Sequence, residues 1–286
     1  MTETFARPAR PVLRPGFLDG IPRPPEVDEA AYDRLAVDVR GLLGIDLRQY
    51  KPAQVWRRVN AFAAQHGQPD PSALVAACRN DRVLQAAFRD MLTINVSEFF
   101  RNPAAFAELH QRFLAPMLRR QATTRIWSAG CSTGFEPYTL GMLVRETVPG
   151  ASVRIKATDI DATALARAAA GRYPEAQMAG ISTAQRHRFF TRDGNDWVVK
   201  SELRSMVEFS RHDLLGDRYG AAFDLVVCRN VVIYFTEAAK ASIFSRFAAS
   251  LRPGGILFIG ATEAIHDPRS IGLAARGVSF YERTVE

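Results

Sequence analysis

The residues best suited to chemistry fall in three short blocks. The first is Trp127-Ser128-Ala129-Gly130-Cys131-Ser132-Thr133-Gly134-Phe135-Glu136-Pro137-Tyr138, an apolar strand running into a turn of small residues and then a helix. Small residues at such a turn let the backbone approach a nucleotide-like group at the carboxyl end of a strand. The dinucleotide fingerprint Gly-x-Gly-x-x-Gly is absent, and Glu136 follows where a phosphate would have to sit. A carboxylate repels pyrophosphate and suits a cationic or hydroxyl-bearing ligand. The block therefore argues against NAD and for a nucleoside without phosphates, such as S-adenosylmethionine. The second block centres on Asp159, at a strand end where a carboxylate can hold both ribose hydroxyls. Capping of the following helix falls instead to Asp161. The third is Cys228-Arg229-Asn230-Val231-Val232-Ile233-Tyr234-Phe235. Arg229 and Asn230 offer polar groups at the cofactor edge, and Tyr234 can line a methyl-transfer pocket, although Tyr234 and Phe235 alone would equally suit an aromatic core.

These blocks need a scaffold. Past residue 121, strands at 125–130, 153–158, 223–228 and 255–261 alternate with helices at 136–147, 161–169 and 237–251. That alternation predicts an α/β domain with a doubly wound, Rossmann-like, mainly parallel sheet. A last strand at 278–284 has no room for a crossover helix and should be antiparallel. A helix at 182–188 and apolar runs about Asp193-Gly194-Asn195-Asp196 read as a small β insertion at about 172–206. Upstream the pattern is helical. Tyr32, Leu35, Val39, Leu42 and Leu43 share one face, and Gly44 can stop that helix. Pro52 and Pro71 suit first turns, and Val83, Leu84, Ala87, Met91 and Leu92 outline a fourth helix. Asn102-Pro103 reads as cap and first turn of a fifth that buries Phe106, Leu109 and Phe113. The Arg252-Pro253-Gly254-Gly255 segment reads as a turn before a strand. The expected order is a tail at 1–26, a helical domain at 27–100, a linker helix at 101–122 and the α/β domain at 123–286.

Composition narrows the class. The chain has 286 residues, 47% of them hydrophobic, so it is a folded protein of one large or two smaller domains. No apolar run approaches the roughly 20 residues of a membrane span, so no direct membrane insertion is expected. Cys78, Cys131 and Cys228 are too scattered for a disulfide framework or a Cys-x-x-Cys metal site, which fits a reducing cytoplasm and no metal. Residues 1–26 carry six prolines, several Arg and no apolar core, which reads as a flexible tail rather than a signal peptide. The net charge is +7, and of the 37 basic residues 33 are Arg. Abundant Ala beside abundant Arg makes that excess a poor argument for nucleic acid. A local cluster is more telling. Lys51, Arg57 and Arg58 lie on a helix whose Val55, Val59 and Phe62 face inward, so they form either a docking face for an acidic partner or a solvated face.

The segment Leu92-Thr93-Ile94-Asn95-Val96-Ser97-Glu98-Phe99-Phe100-Arg101, with residues 127–138, 158–161, 207–215 and 228–235, resembles the chemotaxis receptor methyltransferases of the CheR type. The resemblance spans about residues 28–284, domain order and β insertion included. It implies S-adenosylmethionine-dependent esterification of glutamates on the cytoplasmic helices of methyl-accepting chemotaxis receptors, with S-adenosylhomocysteine as product. By the same resemblance Asn95, Ser97 and Arg101 belong to a loop that closes over the cofactor. Glu136 matches a carboxylate near its methionine or adenosine portion, and Asp159 the ribose carboxylate. Asp213 and Leu214 sit where the family contacts adenine, and Arg229 and Asn230 where it contacts the cofactor again. Tyr234 matches an aromatic beside the transfer site, so Arg101 and Tyr234 are the expected catalytic pair. Ser97 replaces the usual Thr, Phe135 a usual Glu, and Asp213 a usual Asn, whose exchange still leaves an oxygen to accept from the adenine amine. The hairpin is shorter than in members that dock a receptor's C-terminal tail peptide, which speaks against such tethering. Lys51, Arg57 and Arg58 would then meet the Glu-rich receptor helix.

A glutamate with pKa ~4.3 is already a nucleophilic anion at neutral pH, so methyl transfer to it needs placement rather than a general base. Three other readings compete. A methyltransferase of another protein or of a small molecule would share the cofactor half. A base methylase usually carries a polar-Pro-Pro-aromatic motif, which residues 230–234 lack, so no nucleic-acid partner is expected. A non-catalytic S-adenosylmethionine sensor would predict a broken transfer site, yet Asn95, Arg101 and Tyr234 are all present.

Overall fold

The computed structural model describes residues 27–93 and 95–284. The tail read at 1–26 lies outside the described residues. The described residues begin with four helices, α1 (Glu29–Leu43), α2 (Pro52–Gln65), α3 (Pro71–Asn80) and α4 (Arg82–Thr93). Asp28 caps α1 by accepting the Ala31 N–H, and Gly44 ends it in left-handed backbone at φ 74°. Leu35, Val39, Val59, Leu74 and Phe88 fill the space between these helices. In α4 the buried positions are Phe88 and Leu92, whereas Val83, one of the apolar residues that outlined this helix, is 80% exposed. Phe88 had displaced it as the inward residue of that helix, because the face is chosen by neighbours and not by α4 alone.

A continuous helix follows as α5 (Pro103–Leu109), one π turn (His110–Leu114) and α6 (Ala115–Arg120). Pro116 has no N–H to offer the preceding turn, which fits the local widening. Asn102 does not cap α5 as expected. It stands in left-handed backbone at φ 60° and its side chain makes no capping bond. Phe106 and Leu109 are buried, while Phe113 is half-buried against the sheet core.

The remaining elements are β1 (Thr123–Ala129), α7 (Phe135–Thr147), β2 (Ser152–Asp159), α8 (Ala162–Ala170), β3 (Arg172–Pro174), α9 (Thr183–Phe189), β4 (Phe190–Asp193), β5 (Asp196–Val199), α10 (Ser201–Arg204), β6 (Val207–Arg211), β7 (Phe223–Cys228), α11 (Glu237–Ser250), β8 (Leu251–Ile259), β9 (Leu273–Ala275) and β10 (Phe280–Arg283). The main sheet has the order β6-β2-β1-β7-β8-β10-β9. Its first five strands are parallel, and β10 runs antiparallel to β8, as the short final connection required. Edge strand β9, three residues long and paired to β10, carries too little pattern to be read in advance. The β insertion is a separate sheet β3-β5-β4, in which Asp193 pairs with Asp196 across a tight Gly194-Asn195 turn.

The segment 252–255, read as a turn, lies within β8, which begins at Leu251 opposite Phe223 and shifts register by Leu225. Gly255 permits this: a Cβ there would press at 2.9 Å on the carbonyls of Arg252 and Phe223. Burial on both faces of β7 explains its unbroken apolar run. No helix among the described residues is long and apolar enough to cross a membrane.

Candidate active site

Strand order reverses where β1 stands between β2 and β7, the place where open α/β sheets hold ligands outside their carboxyl ends. A cleft of roughly 1000 Å³, counting its open mouth, lies there. After β1, the N–H groups of Gly130 and Cys131 both donate to the Thr158 carbonyl, at 2.8 and 2.9 Å. Gly130 adopts φ 76°, and any Cβ on it would collide with the Val231 side chain. Glycine therefore lets the turns after β1 and β7 pack together at the cleft floor. Glu136, in the first turn of α7, accepts from the Ser128 hydroxyl at 2.8 Å. Burial pushes its pKa up to about 7, against the pull of Arg229 and Ser128. A carboxylate at this helix N-terminus occupies the place a phosphate would need.

Two aspartates two residues apart divide their work. Asp161 accepts the N–H groups of Thr163 and Ala164 with Oδ1, capping α8. Its Oδ2 takes the Asn95 amide at 2.8 Å and the Thr93 hydroxyl at 3.2 Å. Asp159 is 9% exposed and accepts the Ser132 N–H at 2.7 Å and the Asp161 N–H at 3.0 Å. Those backbone bonds orient the carboxylate toward the cleft, which it lines, and leave lone pairs for a diol. Burial raises its pKa, and the backbone bonds oppose the rise.

After β7, Arg229 is 7% exposed and lies between the rings of Phe106 and Phe258, 4.9 and 4.8 Å from their centroids. Among the described residues no carboxylate comes within ion-pairing distance of it, and its Nε is unpartnered. Burial lowers its pKa, opposed by Glu136. Asn230 stands at φ 60°, and its buried Oδ1 also lacks a partner. The residue that holds this turn is Glu263, which the sequence reading missed. It is 3% exposed and accepts N–H groups from Asn230 (2.8 Å), Val231 (2.9 Å) and Gly260 (2.7 Å). Only a lone acidic residue after an apolar strand could have signalled it. Tyr234 ends a 3-10 turn (Val232–Tyr234) and lines the cleft.

The helical part closes the cleft from the other side. Tyr50 pairs with Phe235 as an isolated antiparallel bridge, their rings 4.8 Å apart. Lys51 N–H donates to the Tyr234 carbonyl at 2.9 Å, and Thr236 N–H to the Gln49 carbonyl at 2.8 Å. Asn95 reaches the cleft wall, but its amide is engaged by protein: besides Asp161 it donates to Thr93 at 3.1 Å and accepts from Ser132 at 2.9 Å. Its amide thus braces the side chains of Thr93, Ser132 and Asp161 at the cleft wall. Arg101 ties its own loop by donating to the Val96 carbonyl at 2.9 Å, and with Ser97 it lines the cleft. Phe99, 2% exposed, anchors that loop among Phe135, Tyr173 and Phe190.

Asp213 and Leu214 also line the cleft, with Asp213 Oδ1 taking the Leu215 N–H at 2.8 Å. The three basic residues, Lys51 at the N-cap of α2 and Arg57 and Arg58 within it, differ in their surroundings. Lys51 stands at the strap beside Tyr234 and lies 4.0 Å from Glu237. Arg58, two turns on and half-buried, feels the Tyr234 phenol, and burial lowers its pKa. Arg57 points away and is exposed, since consecutive helix residues lie about 100° apart.

The cleft is therefore lined by the carboxylates of Glu136, Asp159 and Asp213 and by the guanidiniums of Arg101 and Arg229, and Arg229 Nε and Asn230 Oδ1 have no protein partner among the described residues. Residues 30–93 match the family model described as CheR methyltransferase, all-alpha domain, and residues 95–274 that described as CheR methyltransferase, SAM binding domain. The chain is 40% identical over 243 residues to the chemotaxis protein methyltransferase of Listeria monocytogenes, covering 85% of this chain and 93% of that one. It is 37% identical over 251 residues to chemotaxis protein methyltransferase 1 of Pseudomonas aeruginosa, covering 83% and 91%. The donor set and the matched SAM binding domain agree on S-adenosylmethionine as cofactor.

Proposed function

The chain belongs to the CheR methyltransferase family, and from that premise we propose that it methylates glutamate side chains of chemotaxis receptors, forming methyl esters. One observation carries this reading: Arg101 and Arg229 line the cleft with no carboxylate in ion-pairing distance among the described residues. A buried, unpaired guanidinium is costly, and a carboxylate ligand removes that cost. Arg229 is such a group, and with the half-buried Arg101 it suits a cleft that receives two carboxylates, one on the cofactor's amino-acid end and one on the acceptor.

When bound, S-adenosylmethionine supplies an electrophilic sulfonium methyl. Asp159 holds the ribose diol, Asp213 and Leu214 bound the adenine, and Glu136 faces the cationic amino-acid portion. Arg229 and Asn230 complete the polar contacts, with Ser97 on the covering loop and Asn95 bracing Ser132 and Asp161. Arg101 and Tyr234 would orient the acceptor carboxylate, already an anion at neutral pH, so that one of its oxygens is placed in line for the methyl the cofactor would supply. Opposite charges are consumed in that step, so the apolar wall of Tyr234 and Phe106 favours it over the separated ions. Lys51 and Arg58 draw a Glu-rich receptor helix to the cleft mouth, and Arg57 contributes only at long range.

Tritiated S-adenosylmethionine incubated with receptor cytoplasmic fragments tests the assignment. Label released by mild base as methanol is the expected result. Base-stable label, or label appearing only on small molecules or nucleic acid, would overturn it.

A further inference from the structure

The strap before α2 places a side chain in the cleft that neither the family match nor the sequence reading assigns. Tyr50 follows a 3-10 turn (Leu47–Gln49) and packs against the apolar cores of both the helical part and the sheet. Three backbone ties fix it: its own bridge to Phe235, Lys51 N–H to Tyr234, and Thr236 N–H to Gln49. Its side chain also lines the cleft. Tyr32 offers a contrast, because its hydroxyl donates to the Leu47 carbonyl at 2.7 Å. The Tyr50 hydroxyl has no protein acceptor among the described residues. Burial, and after it the charges of Asp213 and Asp159, pushes its pKa up. At neutral pH it is an O–H donor in the cleft that Asp159 and Asp213, given above to ribose and adenine, also line.

We propose that Tyr50 is a nucleoside-binding residue contributed by the helical part, its O–H donating to the ribose or adenine of the cofactor in the cleft that Asp159 and Asp213 also line. This rests on the reading of the cleft given under Proposed function. The strap runs through Lys51 directly into α2, which carries Arg58, so the same contact links the cofactor to the acceptor-docking helix. Cofactor binding then steadies α2, and acceptor binding tightens the cofactor by the same factor, as linkage requires.

Tyr50→Phe removes the hydroxyl and keeps the ring on Phe235. The Kd of S-adenosylhomocysteine, measured by titration calorimetry, should rise about fivefold to tenfold, the loss expected for one hydrogen bond. The Kd of adenosine should rise by the same factor, since the contact is to the nucleoside. Melting without ligand should stay at the wild-type temperature, while the shift produced by S-adenosylhomocysteine shrinks. S-adenosylhomocysteine should also raise the affinity of wild-type protein for a receptor fragment more than that of the variant. If Tyr50→Phe melts low, Phe235→Leu separates packing from hydrogen bonding: it strips the same ring contact, keeps the hydroxyl, and should spare adenosine affinity. Unchanged Kd values in Tyr50→Phe, or a loss for S-adenosylhomocysteine without one for adenosine, overturn the proposal. Wild-type protein that binds neither ligand would instead sink the reading of the cleft itself.

Discussion

The two walls of the cleft are built by different means. On the sheet side, Gly130, Asp159 and Arg229 each follow or end a parallel strand, and backbone register alone brings them to one edge. Their orientation comes from hydrogen bonds to nearby backbone, as when Ser132 and Asp161 donate to Asp159. On the helical side, Tyr50, Asn95 and Arg101 come from loops flanking helices, and long-range ties hold the first two in place: the strap on Phe235 and the Asn95–Asp161 bracket. The sheet wall is thus a rigid template. The helical wall is a cover whose position depends on a few contacts, so changes on the two sides should differ in kind: stability on one, affinity on the other.

The largest effect is expected at Glu263, the bracket of the sheet wall. Glu263→Ala orphans three N–H groups and should lower unfolding free energy by about 3 kcal/mol, measured by denaturant melts, with loss of transferase activity. A stable but inactive variant would break the contrast drawn above.

Glu136 sharpens it through pH. Its carboxyl sits near 7 in the fold and ~4.3 in the unfolded chain, so the folded state binds the extra proton between those values. Stability contributed by the protonated form is complete below about pH 4 and is lost as pH rises through 7. Glu136→Gln should match the parent at pH 4 and exceed it by about 2 kcal/mol at pH 8, a figure discounted for half-burial. Binding of the cationic cofactor favours the ionised form, so the wild type should release a proton near pH 6.5 in calorimetry across buffers, and the Gln variant none.

At the joint, Asn95→Ala removes contacts to Asp161, Thr93 and Ser132. It should cost about 1–2 kcal/mol in cofactor affinity, a Kd some tenfold higher, with a smaller change in melting temperature. The smallest effects belong to the outer cover. Arg58→Glu should raise the receptor KM about tenfold and Arg57→Glu less than twofold, consistent with rim charges acting mainly through steering. Equal effects would mean that the docking face is wider than the cleft mouth.

Much of this was legible before the coordinates. Alternation of strands and helices from residue 123 onward predicted the sheet, and the missing crossover before β10 predicted its reversed direction. Asp161 was separable from Asp159 because a cap must stand directly before its helix. What failed was whatever depended on neighbours remote in sequence. Val83 and Phe88 both fit a helical face, and only packing against α2 chose Phe88. Asn102 looked like a cap, but the chain had to turn there in left-handed backbone. Lys51, Arg57 and Arg58 read alike in sequence, and only the fold separates the half-buried Arg58 from the exposed Arg57.

Local rules therefore determined the class of fold and the cofactor edge, because strand ends and small-residue turns carry their geometry within a few residues. Glu263, Tyr50 and the double role of Asn95 were settled only by tertiary structure. Each bonds or packs against groups some 30 to 185 residues distant. Hydrogen bonds of that kind leave no periodicity behind, since a single carboxylate or phenol is chosen by the partner that folding brings to it.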